Sequence, residues 1–327
     1  MSKCLFCYME LNEGEKDFHA RCARKFFGTS IAPDMEYTQS DMDRLGEQII
    51  RSQTTLTGVQ PKLSLNLQKH EGSQRLTIVG LWGAYIFKPQ TSRFAELPEN
   101  EDLTMHLAEI AGLKTAQHSL IRLADDSLGY LTRRMDRDAK GYKLPMEDFC
   151  QLTERQTEYK YRSSYEQVAK AIERYSTVPQ LDVINFYEEV IFCWLTGNND
   201  MHLKNFSLLS LGESRYELSP AYDLLNVVIV NPDDTEELAL TLNGKKRRIS
   251  RKDFVEAASK FGVSEKVLDG LIAHFKQCLP AWERKIDESF LSDEMKMNYK
   301  FATKENSIQE SKNRKNNTSR KNNRSNK

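Results

Sequence analysis

The sequence predicts an α+β fold made of two lobes, a small β-rich lobe followed by a larger helical one. Segments that alternate apolar and polar residues, typical of strands with one buried face, dominate before residue 135. From residue 136 onward, apolar residues recur at helical spacing. The chain has 327 residues, 39% of them apolar and 29% charged, which is enough for two cores. The predicted parts are a Cys/His module (1–30), an N-lobe (45–135), a helical C-lobe (136–298) and a disordered basic tail (302–327).

The N-lobe is predicted from its strands. Lys62–Leu67 alternates cleanly between apolar and polar residues, so one of its faces is buried. Two short helices are expected before it, at Asp17–Phe27, where Gly28 ends the helix, and at Thr38–Ile50. The remaining predicted elements are strands at Arg75–Val79, Ala84–Lys88, His118–Leu123 and Gly129–Arg134, and a helix at Glu101–Ala111.

The C-lobe is predicted from amphipathic segments. Tyr165–Tyr175 and Asp182–Leu195 carry apolar residues at helical spacing, so both are expected to be helices. Phe206–Leu209 is interpreted as a strand, and Tyr216–Leu218 as its hairpin partner. Ser250–Phe290 is expected to supply at least two more helices, with an interruption near Pro280.

Charge and hydropathy exclude several classes of protein. The formal net charge is zero, but from Lys304 onward the chain is nearly all Lys, Arg, Asn and Ser. Because such a tail is basic, the part before it is net acidic, which argues against a general nucleic-acid-coating protein. No run approaches the roughly 18 apolar residues of a membrane span, and the N-terminus lacks the apolar run of a signal peptide. A cytoplasmic location and no membrane partner are expected.

Four metal-ligand side chains lie close together near the N-terminus: Cys4, Cys7, His19 and Cys22. Their spacing, Cys-x2-Cys-x11-His-x2-Cys, forms two ligand pairs that suit one tetrahedral zinc ion. The alternative is that the cysteines are small buried apolar residues and that His19 caps a helix. Any zinc here would be structural, because four protein ligands leave no open position. The surroundings of Cys150 and Cys193 are apolar, so both are expected in the core.

The segment Gly197–Asn205 carries the strongest chemical signal. Asp200 is followed five residues later by Asn205, the catalytic-loop arrangement of protein-kinase-like phosphotransferases. Asp223 follows at the place of a second metal carboxylate. We therefore expect Asp200 to orient the acceptor hydroxyl, and Asn205 and Asp223 to bind Mg²⁺ through oxygen. His202 and Lys204 would steady either the γ-phosphate of ATP or the loop itself. An Asx-rich turn is the plain alternative for any one of these residues.

The N-lobe offers the groups that would bind ATP. Lys88 ends an apolar strand, where its ammonium group would neutralise phosphate charge, and either Glu101 or Glu99 could pair with it. The backbone of Arg133, Arg134 and Met135 lies where the lobes would join and could receive the adenine. A phosphate-cradling loop is expected to involve Thr57, Gly58, Val59, Gln60 and Lys62.

Taken together, these motifs resemble the HipA family of bacterial Ser/Thr kinase toxins. The ordered set comprises Thr57–Lys62, Ile86–Pro89, Arg133–Arg137, Leu144–Gln151, Asn199–Phe206 and Tyr222–Asp223. The resemblance covers about residues 50 to 295. It implies a bilobal, protein-kinase-like (HipA-like) fold and an ATP- and Mg²⁺-dependent kinase whose catalytic Asp is Asp200.

The family resemblance also implies roles, partners and regulation. It places Lys88 on the ATP phosphates, counts Tyr222 beside Asp223 among the nucleotide-binding positions, and makes Thr55 and Thr57 the candidates for autophosphorylation in the nucleotide loop. The implied substrate is a translation protein, an aminoacyl-tRNA synthetase, whose phosphorylation arrests growth. The chain lacks room for the N-terminal subdomain of full-length HipA toxins before that loop, so it is most similar to the short toxin HipT of three-gene HipBST-type systems. The implied partners are small HipS-like and HipB-like antitoxins, with DNA bound only through an antitoxin.

Three other functions stay open from the residues alone. A kinase-fold module could hold ATP without transferring phosphate, although a pure binder would not need Asp200, Asn205 and Asp223 together. A small-molecule phosphotransferase shares the Asp-to-Asn spacing. A DNA-associated corepressor role could accompany the kinase activity, but no segment strongly resembles a helix-turn-helix.

Overall fold

The computed structural model describes residues 2–52, 61–70, 73–79, 83–138 and 140–303. The predicted nucleotide-loop residues Thr55, Thr57, Gly58, Val59 and Gln60 lie outside the described residues, as does the tail from residue 304 onward. The chain divides into two compact units. The N-unit consists of Met1–Met105, Ala116–Lys143 and Asp287–Leu291, and the C-unit of His106–Thr115, Leu144–Ile286 and the chain from Ser292.

The predicted elements before residue 135 are present, with shifted ends. The helices are α1 (Ala20–Phe27), α2 (Gln39–Ser52) and α3 (Leu97–Ile110), and the strands are β1 (Leu63–His70), β2 (Ser73–Val79), β3 (Tyr85–Lys88), β4 (His118–Arg122) and β5 (Leu128–Arg133). Helix α1 ends at Gly28, which has φ of 78°. Helix α3 begins before the predicted Glu101, because Pro98 fits the first turn, where its missing N–H is not needed.

The five strands of the N-unit form one antiparallel sheet in the order β2-β1-β3-β5-β4. In its register, Phe87 on β3 pairs with Leu131 on β5, and Lys88 with Tyr130. Gly129 on β5 has a packing reason, because a Cβ atom there would lie 2.2 Å from the ring of Phe87. The core under the sheet includes Phe26 of α1 and Leu65 of β1. The sheet therefore fixes β3, the strand that ends in Lys88.

The C-unit is mainly helical, with one small antiparallel sheet in the order β6-β7-β8. Its strands are β6 (Met146–Asp148), β7 (Ser207–Ser210) and β8 (Tyr216–Leu218), and its helices are α4 (Phe149–Leu152), α5 (Tyr165–Tyr175), α6 (Pro179–Thr196), α7 (Arg251–Ser259) and α8 (Glu265–Glu288). The predicted hairpin is confirmed, since Leu208 of β7 pairs with Leu218 of β8. Together the two units form a mixed α+β fold, as the sequence predicts.

The predicted interruption near Pro280 was wrong, because α8 continues through this proline. Pro280 is exposed, so water can replace the helical hydrogen bond that proline removes. On the opposite face Phe275, Trp282 and Ile286 are buried, and their packing holds the helix on both sides of Pro280.

A further helix, 293–303, follows α8. Residues 302 and 303, assigned to the tail from the sequence, form its last turn. Within the described part of the chain, no helix is long and apolar enough to cross a membrane.

Candidate active site

The predicted catalytic loop begins where helix α6 ends. Gly197 takes the left-handed conformation, with φ of 74°, and its N–H donates to the carbonyl of Cys193. A side chain at Gly197 would also collide with Asn226, whose Oδ1 would lie 2.9 Å from the added Cβ atom. The next residue, Asn198, is fully buried, and its Oδ1 accepts a hydrogen bond from the N–H of Asp200. The chain therefore leaves the helix in one defined direction and presents Asp200.

Asp200 and Asn205 are brought together by the loop itself. The side-chain Nδ2 of Asn205 donates to the backbone carbonyl of Asp200 at 3.1 Å. The backbone N–H of Asn205 donates to the carbonyl of His202, which closes a 3-10 turn over Leu203–Asn205. Because the amide nitrogen of Asn205 is used within the loop, its amide oxygen is the end that can bind a cation.

The carboxylate of Asp200 accepts a hydrogen bond from Tyr161, a residue that sequence reasoning missed. The Tyr161 hydroxyl lies 2.5 Å from Oδ1 of Asp200. Partial burial and the charge of Asp200 raise the pKa of Tyr161, so this hydroxyl remains a proton donor. The Tyr161 ring also meets His202 edge-on, with 4.8 Å between ring centroids. No sequence pattern links Tyr161 to Asp200, because the two are 39 residues apart.

Lys204 and His202 hold the loop. The Nζ of Lys204 lies 2.5 Å from Oδ2 of Asp148, and the backbone N–H of Lys204 donates to Nδ1 of His202. Asp148 also caps helix α4 by a reciprocal pair of hydrogen bonds with Gln151. This Asp-x-x-Gln capping box was a signal available in the sequence. Of the two roles left open for Lys204, these contacts favour steadying the loop.

Asp223 is held close to the loop by its neighbour Tyr222. The Tyr222 hydroxyl donates to the backbone carbonyl of Lys204 at 2.9 Å and lies 2.6 Å from Oγ of Ser207. Burial raises the pKa of Tyr222, so the phenol keeps its proton. Asp223 itself has φ of 62°, a conformation that few residues other than glycine and Asx adopt. The segments that carry Asn205 and Asp223 are therefore tied together.

In the N-unit, Lys88 pairs with Glu101. Its Nζ lies 2.6 Å from Oε1 of Glu101, and the two residues are only 4% and 3% exposed. The structure thus selects Glu101 over Glu99 as the partner of Lys88. Burial raises the pKa of Glu99 to about 7. The Lys88–Glu101 pair has the form of the Lys–Glu ion pair that positions ATP phosphates in protein kinases.

The predicted adenine-binding segment uses part of its backbone within the N-unit. The N–H of Arg133 donates to the carbonyl of Gln117, and that of Arg134 to the carbonyl of Ala84. An adenine contact would therefore draw on other groups of the segment, such as its carbonyls or Met135. Of the predicted phosphate loop, only Lys62 is described; it is exposed and precedes β1.

The predicted zinc ligands cluster in the N-unit. The ligand atoms of Cys4, Cys7, His19 and Cys22 all lie within 4.8 Å of one another. Cys4, Cys22 and His19 are buried. Cys150 and Cys193, both expected in the core, are buried as well.

The donor atoms at these positions suit two different kinds of metal ion. Asn205 and Asp223 offer the hard oxygen ligands that Mg²⁺ prefers, whereas the N-terminal cluster offers the sulfur and nitrogen ligands that zinc prefers. Lys88 offers a positive charge for phosphate. The two kinds of site therefore differ in chemistry.

Sequence comparison identifies a known family and several relatives. The family model of the HipA-like C-terminal domain matches residues 54–282. Two relatives are candidate kinases of Sinorhizobium fredii: Y4dM, 29% identical over 70% of this chain and 59% of its own length, and Y4mE, 33% identical over 61% and 48%. A candidate kinase of Haemophilus influenzae is 25% identical over 65% of this chain and 69% of its own. The match thus spans about half to two thirds of these relatives.

Two solved structures share the fold. HipA of Shewanella oneidensis MR-1, solved with HipB and operator DNA, matches with a TM-score of 0.69 and 20% identity, over 84% of this chain and 71% of its own. The proinflammatory kinase CtkA of Helicobacter pylori matches with a TM-score of 0.50 and 16% identity, over 75% and 92%. The mixed α+β fold is therefore similar to both HipA and CtkA.

Proposed function

This chain belongs to the family of HipA-like C-terminal domains, and from that premise we propose that it is an ATP- and Mg²⁺-dependent protein Ser/Thr kinase acting as the toxin of a type II toxin–antitoxin system. The observation that carries the proposal is the linked set Asp200, Asn205, Tyr222 and Asp223. Asn205 is hydrogen-bonded to Asp200, and Tyr222 ties the segment before Asp223 to the carbonyl before Asn205. A module that only bound ATP would not need a carboxylate poised for an acceptor hydroxyl.

Each residue has a separate task in the proposed reaction. Asp200 accepts the hydrogen bond of the acceptor hydroxyl and takes its proton as the new oxygen–phosphorus bond forms and the bond between the γ-phosphorus and the bridging oxygen breaks. Tyr161 donates a hydrogen bond to Oδ1 of Asp200 and so helps to hold this carboxylate in place. Lys88, fixed by Glu101, neutralises phosphate charge. Mg²⁺ held by Asn205 and Asp223 would supply charge neutralisation at the leaving phosphates.

The proposed substrate is a protein of translation, an aminoacyl-tRNA synthetase, and its phosphorylation would arrest growth. The Shewanella HipA structure contains HipB and operator DNA, which supports a HipB-like antitoxin as a partner and DNA contact through that antitoxin. The proposed toxin is of the HipT subtype, with a second, HipS-like protein as a partner. Autophosphorylation of Thr55 or Thr57 would regulate the kinase.

The Cys/His cluster takes no part in the proposed phosphoryl transfer. Four protein ligands would leave no open position on a metal ion for a substrate. A structural zinc ion is the use that the donor set supports.

The deciding experiment compares the purified chain with its Asp200→Asn variant. Both are incubated with γ-labelled ATP, Mg²⁺ and a cell lysate, and labelled proteins are identified by mass spectrometry. We expect the wild-type chain to label itself and one translation protein, and Asp200→Asn to bind ATP but transfer no label. Asp126→Asn, at an exposed aspartate of the N-unit, serves as the matched control and should remain active.

The same experiment separates the alternatives. ATP binding without label transfer by the wild-type chain would indicate a binding module. Label on a small hydroxyl-bearing metabolite, with none on protein, would indicate a small-molecule phosphotransferase. Either result would overturn the proposed protein kinase.

A further inference from the structure

Two separations from His19 to cysteine sulfurs in the N-terminal cluster match those of a tetrahedral metal site, and all four ligand atoms lie within 4.8 Å of one another. Nδ1 of His19 lies 3.4 Å from Sγ of Cys7 and 3.7 Å from Sγ of Cys22. A tetrahedral zinc ion with its usual bond lengths separates its sulfur and nitrogen ligands by about 3.5 to 3.8 Å. Three thiols and one imidazole are also a donor set that favours zinc over hard cations. The cluster thus fits zinc in both distance and chemistry.

The second ring nitrogen of His19 identifies Nδ1 as the ligand. Nε2 lies 2.8 Å from the backbone carbonyl of Glu10. A carbonyl can only accept, so Nε2 carries the proton and Nδ1 keeps a lone pair for a metal. A ligand histidine whose other nitrogen donates to a carbonyl is the usual arrangement around protein-bound zinc.

The two cysteines of the first pair bracket a tight turn that ends at Tyr8. The N–H of Cys4 donates to the carbonyl of Met9, and the N–H of Tyr8 donates to the carbonyl of Cys4. Tyr8 has φ of 68°, a conformation that a bulky residue adopts only where its surroundings hold it. A metal ion bound by Cys4 and Cys7 would hold this turn closed.

Tyr8 connects the turn to helix α3. Its side chain is 2% exposed, and its hydroxyl donates to Oδ2 of Asp102 at 2.6 Å. Asp102 is fully buried, and its other oxygen lies 2.7 Å from Nδ1 of His118 on β4. A buried carboxylate depends on such hydrogen bonds, so Asp102 holds α3 between the cysteine turn and the sheet.

Asp102 follows Glu101, the partner of Lys88. Neighbouring residues of a helix point about 100° apart, so Asp102 can meet Tyr8 while Glu101 meets Lys88. These two contacts fix the rotation of α3 about its axis from two sides. Any shift of Asp102 would therefore move Glu101 and, with it, the ammonium group of Lys88.

We propose that Cys4, Cys7, His19 and Cys22 bind a structural zinc ion. We further propose that this ion holds the turn from Cys4 to Tyr8, and that the turn in its place positions the Lys88–Glu101 pair. The zinc site stands on the cluster alone. Its effect on Lys88 rests on the proposed kinase function. Tyr8 and Asp102 act through Glu101 and are positioning residues.

The first experiment measures metal in the full-length chain. Protein purified from zinc-supplied cells is examined by native mass spectrometry and elemental analysis, and then with cobalt in place of zinc. We expect one zinc per chain, the d–d absorption of a tetrahedral thiolate site with cobalt, and loss of the metal in the Cys4→Ser/Cys7→Ser variant. Cys278→Ser, a buried cysteine outside the cluster, should retain it. A wild-type chain without zinc, or with Cys4 and Cys7 joined by a disulfide, would overturn the zinc site.

The second experiment tests the connection to Lys88 without disturbing the ligands. Tyr8→Phe removes one hydroxyl, and Tyr142→Phe, at an exposed tyrosine of the N-unit, is its control. We expect Tyr8→Phe to keep one zinc and a cooperative unfolding transition but to bind ATP about fivefold more weakly, and Tyr142→Phe to bind it normally. Because Tyr8 acts through Lys88, adding Tyr8→Phe to Lys88→Met should weaken ATP binding no further.

Two results would overturn the positioning role: unchanged ATP affinity in Tyr8→Phe, or an equal loss with and without Lys88. Absence of ATP binding by the zinc-loaded wild-type chain would instead overturn the proposed kinase function, and the positioning role with it. The metal count would still decide the zinc site in that case.

Discussion

The hydroxyl of Tyr222 lies 2.9 Å from the carbonyl oxygen of Lys204. This hydrogen bond joins the residue before Asp223 to the residue before Asn205. The segments that carry the two predicted Mg²⁺ ligands are thus hydrogen-bonded to each other, although 18 residues separate Tyr222 from Lys204. The geometry of an oxygen-ligand site depends on such supporting contacts.

The first prediction concerns that contact. Tyr222→Phe should lower the free energy of unfolding by about 1 kcal/mol, because the partly buried carbonyl of Lys204 loses its donor. It should reduce phosphoryl transfer more than ATP binding, since the relative position of Asn205 and Asp223 becomes less fixed. Thermal unfolding and transfer kinetics measure the two effects. Tyr216→Phe, on the exposed side of β8, is the control, and equal behaviour of the two variants would contradict the role of Tyr222.

The catalytic loop could be predicted from the sequence because its geometry is local. Asp200 and Asn205 are five residues apart, and the hydrogen bond between them lies within that span. By contrast, Asp148 and Tyr161 reach the loop from 56 and 39 residues away. Contacts of that kind depend on how α4, α5 and the sheet pack, which no pattern in the sequence specifies.

The sequence alone also could not show whether Glu99 or Glu101 pairs with Lys88. Both lie in the first turns of α3, two residues apart, and so point about 200° apart around the helix. Which of them faces Lys88 depends on the rotation of α3, and that is fixed by the buried contacts of Asp102. The error at Pro280 has a related cause. Local helix propensity favours a break, but the buried face of α8 outweighs it.

The second prediction concerns the buried ion pair. Glu101→Gln should lower the free energy of unfolding by about 3 kcal/mol, because it removes one charge of a buried ion pair and leaves the other in the core. Adding Lys88→Met to that variant should restore part of the stability, since the buried ammonium group is then removed as well. Denaturant unfolding of the two single variants and the double variant gives the coupling between the residues. Strictly additive losses would contradict a direct pairing.

The third prediction is a pH dependence of stability in the C-unit. Glu189 on α6 is 5% exposed, and within the described residues its Oε1 has no hydrogen-bond partner. Burial raises its pKa from 4.5 to about 8. A carboxyl whose pKa is higher in the folded state favours folding while it is protonated, and this contribution is lost as the pH rises from about 4.5 through 8.

Glu189→Gln should therefore lie close to the wild-type chain near pH 5 and exceed its free energy of unfolding by about 4 kcal/mol at pH 8.5. Denaturant unfolding across that range measures the difference. Glu173→Gln, at an exposed position of α5, should show no such trend. A Glu189→Gln profile parallel to that of the wild-type chain would contradict the protonated buried carboxyl.

The fourth prediction concerns autophosphorylation of the nucleotide loop. Thr55→Ala combined with Thr57→Ala should abolish self-labelling by γ-labelled ATP, because the family resemblance makes these two hydroxyls the acceptors. Thr54→Ala, next to them in the chain, should label normally. A phosphate there adds about −1.5 to −2 charge to the predicted nucleotide loop, so the phosphorylated chain should bind ATP more weakly than the double alanine variant. Phosphopeptide mapping of the wild-type chain identifies the acceptor, and label retained by the double variant would place the acceptor elsewhere.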